Sequence, residues 1–212
     1  MNVPLTRIGD GLPRRAFTNA DLQRMVDAGV IDADEPIELI KGEIIPMPSE
    51  HDLHGRARAK LVRLFNRALS DDYFVSTELS LFLLADTEFK PDLHIFPAAM
   101  KSHDVRGRDV LLAVELSSST QRKDLQVKAP IYAEGGVSEL WVIDLDSHAG
   151  VIFIDPKDGV FQGRRELVDD SVRRAGGRED RVPFVDLGAR HASLGQGRHI
   201  RKDGRAPRRG DR

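Results

Sequence analysis

The chain has 212 residues, of which 40% are hydrophobic and 31% charged, and it contains no cysteine. This length fits one domain with a substantial core, and the lack of cysteine excludes disulfides, thiol nucleophiles, thiolate zinc sites and iron–sulfur clusters. No apolar run reaches the roughly 18 residues that a membrane span needs. Residues 1–13 also lack the apolar stretch of a signal peptide, so we expect a cytoplasmic protein with no membrane partner.

The net charge of −2 is distributed unevenly. Residues 198–212 hold seven Lys or Arg and two Asp, so this segment carries +5 and the rest of the chain −7. An acidic body is unlike proteins that bind DNA mainly by neutralising phosphates, but it suits a carboxylate-rich site that needs a cation. The basic tail predicts disorder, with a DNA-holding arm as the alternative. We therefore expect an N-terminal extension (1–16), a main domain (17–190) and a basic tail (191–212).

The first half of the chain alternates helical and extended patterns. A short helix is expected after Thr18, ending at Gly29, and residues 37–47 form two β segments around a Lys-Gly turn signal. Residues 53–69 have the apolar spacing of an amphipathic helix. Strands are predicted at residues 74–84 and 91–96.

The second half begins with a nearly continuous apolar run at residues 110–116, which indicates a strand covered on both faces. A helix over residues 123–134 follows, and Pro130 is expected to kink it. Further strands are predicted at residues 140–144, 151–154 and 182–185. The element order predicts an α/β (α+β) fold, with a central mixed sheet flanked by helices.

Two carboxylates interrupt the apolar strands. Asp92 stands at the start of one strand, and Glu115 lies near the end of the next. A buried carboxylate is costly unless it is paired or binds a cation, and two on neighbouring strands repel each other unless a hard cation bridges them. Mg²⁺ prefers such oxygen ligands and keeps waters for chemistry, so the pair predicts a Mg²⁺ site. A turn or cap role for Asp92, and a structural ion pair for Glu115, are the alternatives.

Lys128 follows Glu115 on the next predicted helix, which allows it to fold back over the end of the strand. A lysine there could orient or deprotonate an attacking water and stabilise negative charge on a phosphate. A solvated helix lysine is the simpler interpretation, and spacing alone does not decide between the two.

Four separated segments resemble one family. They are residues 113–144 (AVELSSSTQRKDLQVKAPIYAEGGVSELWVID), residues 37–48 (IELIKGEIIPMP), His54-Gly55 opening a helix, and Lys90-Pro91-Asp92 before a strand. In this order they resemble the Uma-type family of putative bacterial restriction endonucleases, in the PD-(D/E)XK nuclease superfamily. The resemblance spans about residues 17–154. It implies a restriction-endonuclease-like core with an N-terminal β-hairpin extension, and DNA as the substrate.

The resemblance also assigns roles to individual residues. Asp92 matches the first metal-binding acid of the superfamily and Glu115 the second, and the carbonyl of Leu116 is the expected backbone ligand. Ser117 stands where the usual Glu-X-Lys motif has its lysine. Lys128 matches the lysine of the Uma-type signature and is the expected migrated catalytic group.

The resemblance implies a Mg²⁺-dependent endonuclease, with Mn²⁺ able to substitute and a homodimer possible. Glu43, Glu38 and His54 are secondary site candidates, whereas Tyr132, Trp141 and Val142 are predicted to be core residues. A catalytically weak or inactive nuclease-fold module that binds nucleic acid or protein is the alternative. No recognisable base-reading element predicts a DNA sequence preference.

Overall fold

In the computed structural model, residues 5–6, 13–47, 52–117, 124–147 and 149–167 are described. They belong to the first of two compact units, Met1–Val182. The predicted strand at residues 182–185 and the basic tail lie outside the described residues. No helix in the described part is long and apolar enough to cross a membrane.

The elements follow one another in an order close to the predicted one. The helices are α1 (Asn19–Asp27), α2 (Asp52–Ala68) and α3 (Ala129–Glu134). The strands are β1 (Leu5–Thr6), β2 (Arg14–Arg15), β3 (Ile37–Ile40), β4 (Glu43–Pro46), β5 (Tyr73–Ser76), β6 (Leu81–Leu84), β7 (Thr87–Phe89), β8 (Leu93–Pro97), β9 (Leu112–Ser117), β10 (Glu139–Asp144), β11 (Ala149–Lys157) and β12 (Val160–Leu167).

The central sheet has six strands in the order β12-β11-β10-β9-β8-β5. Only the β9–β10 pair is parallel, and the other neighbours are antiparallel. The predicted mixed sheet is therefore confirmed. Strand β9 is buried along its whole length, as its continuous apolar run predicted.

Helix α2 covers one face of this sheet. Its apolar side buries Leu61 and Phe65, and the Phe65 ring packs 5.8 Å from the ring of Trp141 on β10. On the opposite face, the main core joins residues of the central sheet to residues of α3 and of a second sheet. Site residues that extend from this second face are thus enclosed between two sheets.

The second sheet has four strands in the order β4-β3-β7-β6. The predicted hairpin of residues 37–47 is present as β3–β4 and forms half of this sheet. The predicted long strand over residues 74–84 was wrong, because β5 joins the central sheet and β6 the second one. Strands β1, β2, β7 and β12 were not predicted.

The helix predicted over residues 123–134 is divided in two. Residues Asp124–Lys128 form a π-helical turn, and α3 follows with Pro130 in its first turn. A proline is tolerated there because the first-turn amides have no intrahelical partner. The expected kink is replaced by a change of helix type at Lys128, and such π turns often occur at functional sites.

The β3–β4 turn depends on Gly42. This residue has φ of 85° and follows Lys41, which has φ of 49°. Positive φ at both central residues is the geometry that matches the twist of a two-residue hairpin. A Cβ on Gly42 would lie 2.6 Å from the Cβ of Ala16, so both backbone conformation and space require glycine.

We expect Gly42→Ala to lower the free energy of unfolding more than Gly29→Ala does. Gly29 also has positive φ, but nothing lies within 4 Å of its hypothetical Cβ. Both substitutions should therefore lose about 1–2 kcal/mol to backbone strain, whereas only Gly42→Ala adds a clash. Urea denaturation of the two variants measures the difference, and equal losses would contradict the close packing at Ala16.

Candidate functional site

Asp92 precedes β8 and is buried. Its Oδ2 accepts a hydrogen bond from the backbone N–H of Leu116 at 2.8 Å. Its Oδ1 lies 2.5 Å from Nε2 of His54 and 3.2 Å from an Nη of Arg58. His54 and Arg58 are one turn apart on α2, so this helix provides both side-chain partners of the carboxylate.

Glu115 lies on β9, the strand adjacent to β8. Its side chain is buried and contacts Tyr132 of α3, so it lies on the sheet face that meets α3. Its Oε1 accepts hydrogen bonds from Nζ of Lys128 at 3.2 Å and from the hydroxyl of Tyr132 at 2.6 Å. The predicted proximity of Lys128 to Glu115 is therefore present in the structure.

Lys128 is the last residue of the π-helical turn, and its side chain is only 9% exposed. Besides Glu115, its Nζ contacts Oε1 of Glu38 at 2.9 Å. The same ammonium lies 5.1 Å from the centre of the Phe89 ring, at a distance typical of a cation–π contact. The solvated-lysine alternative is thus wrong.

Glu38 belongs to β3 of the second sheet and is buried. Its Oε1 accepts a hydrogen bond from the backbone N–H of Lys90 at 3.2 Å, in addition to the bond from Lys128. Glu43 pairs with Ile40 in the same hairpin and is half-buried on the outer strand. Its role stays a prediction.

The pKa of the Tyr132 hydroxyl is raised well above its usual value of 10.0. Burial is the main cause, followed by the negative charge of Glu115 and the hydrogen bond to it, with smaller effects from the charges of Glu38 and Asp92. Tyr132 is therefore a neutral donor. The negative charges of Glu115, Glu38 and Asp92 all raise the pKa of this phenol.

Sequence reasoning missed two participants, Tyr132 and Arg58. Tyr132 is fully buried, as a core residue should be, but its hydroxyl bonds to Glu115. The signal was its position four residues after Lys128, one helical turn away. Arg58 is four residues after His54, and the same spacing could have revealed it.

The donor set fits a hard cation. Asp92 and Glu115 offer carboxylate oxygens on adjacent strands, and the Leu116 amide faces Asp92 while the Ser117 carbonyl accepts a bond from Leu145 on the β10 side. In an antiparallel pair the N–H and C=O of one residue point towards the same neighbouring strand, so we expect the Leu116 carbonyl to face the Asp92 side as well. Mg²⁺ is commonly held by one or two carboxylates together with waters and substrate phosphate. No group of three or more His, Cys, Asp or Glu among the described residues could hold a metal by itself.

His94 lies on β8 close to the site but is buried in the core. Its ring stacks on Phe96 at 5.3 Å, and its Nδ1 has no hydrogen-bond partner within the described part of the chain. Burial lowers the pKa of His94 from 6.5 to about 4. The residue is therefore a neutral core histidine at physiological pH.

Comparison with known proteins identifies a family and a fold. A family model described as "Uma2: Putative restriction endonuclease" matches residues 20–174. A solved structure of a putative nuclease belonging to DUF820, from Anabaena variabilis ATCC 29413, is 17% identical with a TM-score of 0.55, and the match covers 71% of this chain and 84% of that one. No match is found among curated proteins. The structural likeness shows a mixed α/β fold, consistent with the predicted restriction-endonuclease-like core.

We expect acid to destabilise the protein partly through His94. The unfolded chain binds a proton near pH 6.5, but the folded chain does so only near pH 4. Above about pH 7 His94 is neutral in both states and does not lower the free energy of unfolding. As the pH falls towards 4, the unfolded chain is protonated first, so the free energy of unfolding decreases by up to about 3 kcal/mol. Urea unfolding between pH 4 and pH 7 should give a shallower pH dependence for His94→Gln than for the unmodified protein.

His103→Gln is the matched control, because that histidine is 74% exposed. It should retain the pH dependence of the unmodified protein. Identical profiles for His94→Gln and His103→Gln would contradict a buried, neutral His94.

Proposed function

Because the chain belongs to the Uma2 family of putative restriction endonucleases, we propose that it is a metal-dependent endonuclease that hydrolyses phosphodiester bonds in DNA. The observation that carries this proposal is the contact between Lys128 and Glu115, 3.2 Å apart, beside the strand that follows Asp92. In this proposal Glu115 is the second acid of the motif and Lys128 is the migrated lysine.

In this proposal Asp92, Glu115 and the Leu116 carbonyl hold Mg²⁺, and Mn²⁺ can substitute. When bound, such an ion lowers the pKa of a coordinated water and stabilises charge on the phosphoryl group. The charges of the site support cation binding, because among the described residues three carboxylates (Glu38, Asp92, Glu115) contact two permanently cationic side chains, Arg58 and Lys128.

Lys128 takes the role that Ser117 cannot perform. Hydrolysis adds the oxygen of water to phosphorus and breaks one P–O ester bond, so negative charge grows on the phosphoryl oxygens. An ammonium held near Glu115 can stabilise that charge and orient the attacking water. Its burial strengthens this interaction because little water screens it.

Arg58 and His54 hold the carboxylate of Asp92, the other proposed metal ligand. Both contact Oδ1 of Asp92, while the Leu116 amide binds Oδ2. These three donors fix the orientation of the carboxylate, as outer-shell partners of metal ligands do. Arg58 also lies 3.2 Å from Glu78, which is 54% exposed, so the arginine connects the site to the surface.

A binding module with little turnover is the second candidate. Asp92 and Glu115 already accept hydrogen bonds from other groups of the protein, which favours this candidate. The net negative charge of the chain before the basic tail favours it too. Calorimetric titration with Mn²⁺ tests it. No binding at millimolar metal would favour this second function over the endonuclease.

We expect Glu115→Gln and Asp92→Asn each to reduce Mg²⁺-dependent plasmid cleavage by at least about 100-fold. Each amide keeps the size of the side chain and removes the charge that holds the cation. Gel assays with Mg²⁺, with Mn²⁺ and with EDTA measure the effect.

Glu139→Gln is the matched control, since Glu139 is also buried but bonds to Trp141 on the same strand. It should cleave normally. Cleavage that survives Glu115→Gln, or that persists in EDTA, would exclude the proposed site.

Lys128→Met is expected to lower kcat by about 10²–10³-fold, because it removes the ammonium and keeps much of the chain volume. Lys128→Arg should recover part of the rate but not all, since a guanidinium has different donor geometry. Single-turnover cleavage kinetics measure both. Equal rates for Lys128→Met and the unmodified protein would remove Lys128 from the mechanism.

A further inference from the structure

The ammonium of Lys128 lies between carboxylates that come from two different sheets. Glu115 is on β9 of the central sheet and Glu38 on β3 of the second one. We propose that Glu38 and Tyr132 are positioning residues that fix the Lys128–Glu115 pair for catalysis. This inference rests on the proposed function.

Glu38 is held by the backbone of its own sheet region. The N–H of Lys90, directly after β7, donates to the same Oε1 that binds Lys128, and β7 pairs with β3 through Leu39 and Glu88. The carboxylate is therefore anchored independently of the lysine. An anchored acceptor can fix the position of a flexible ammonium at the end of a four-carbon chain.

Tyr132 contacts Glu115, the second carboxylate that bonds to Lys128. Its hydroxyl and the Lys128 ammonium donate to one oxygen, Oε1. The ring of Tyr132 packs 5.2 Å from that of Phe89, and the Phe89 ring also lies near the Lys128 ammonium. The phenol therefore fixes one carboxylate oxygen of Glu115 from a rigid, fully buried position.

The contacts of Glu38 support a positioning role. Its Oε1 atom receives two donors, the Lys128 ammonium and the backbone N–H of Lys90. In this proposal Glu38 acts through Lys128, and a ligand role is the alternative that the tests below separate from it. The two roles make different predictions, because a ligand affects metal affinity whereas a positioning residue affects only the group it holds.

The first test is a cycle of Glu38→Gln and Lys128→Met, assayed by DNA cleavage. Glu38→Gln should reduce kcat by about 10–100-fold while KM for DNA stays the same. In the Lys128→Met background it should cause no further loss, because the group it positions is gone. Independent, multiplicative losses would overturn the proposal.

Mn²⁺ affinity, measured by calorimetry, separates the two roles directly. Glu38→Gln should bind Mn²⁺ as the unmodified protein does, whereas Glu115→Gln should lose binding. Loss of Mn²⁺ binding by Glu38→Gln would make Glu38 a ligand and contradict the positioning role.

Tyr132→Phe tests the other contact, because it removes a single oxygen atom. We expect kcat to fall by about 10-fold, with little change in KM. Tyr73→Phe is the matched control, since the chain has two tyrosines and Tyr73 lies at the start of β5 on the edge of the central sheet. Equal kcat for Tyr132→Phe and Tyr73→Phe would exclude the positioning role of the phenol.

A spectroscopic test does not depend on cleavage. In protein labelled with ¹⁵N-lysine, the buried ammonium of Lys128 should give a slowly exchanging NH₃⁺ signal that disappears in Lys128→Met. The signal should be lost or strongly shifted in Glu38→Gln and retained in the control Glu139→Gln. A retained signal in Glu38→Gln would overturn the proposal, even if the unmodified protein cleaves no DNA and the proposed function fails.

Discussion

The buried ammonium of Lys128 is the interaction on which the arrangement of the site depends. It bonds to Glu38 and Glu115 at 2.9 and 3.2 Å, and these bonds join the central sheet to the second sheet. Removing one partner from a buried ion pair commonly costs about 3–5 kcal/mol, because the remaining charge stays desolvated. The two sheets therefore need each other for electrostatic reasons as well as for the apolar core between them.

Each of the two candidate metal ligands has its own cationic partner. Arg58, from α2, contacts Asp92, and Lys128, which directly precedes α3, contacts Glu115. Strand β9, which carries Glu115, also supplies a backbone donor, the Leu116 amide, to Asp92. This arrangement holds two acids on neighbouring strands without leaving either charge isolated.

The sequence predicted most of the fold because its strongest patterns are local. The amphipathic spacing of α2, the Lys-Gly turn and the apolar run of β9 each led to the correct element. Periodicity could not assign β5 and β6 to different sheets, because that depends on pairing with distant strands. It also could not show that the turn before Pro130 becomes π-helical. Tyr132 was interpreted as a core residue, and it is indeed buried. A sequence pattern indicates that a tyrosine is buried, but it does not show that the hydroxyl also donates a hydrogen bond.

We propose that Asp92 and Glu115 share a divalent cation. A crystal structure of the protein soaked in Mn²⁺, with data collected near the manganese absorption edge, tests it most directly. We expect an anomalous peak within coordination distance of both carboxylates and of the Leu116 carbonyl. Full occupancy of Mn²⁺ elsewhere, with no peak between Asp92 and Glu115, would contradict it.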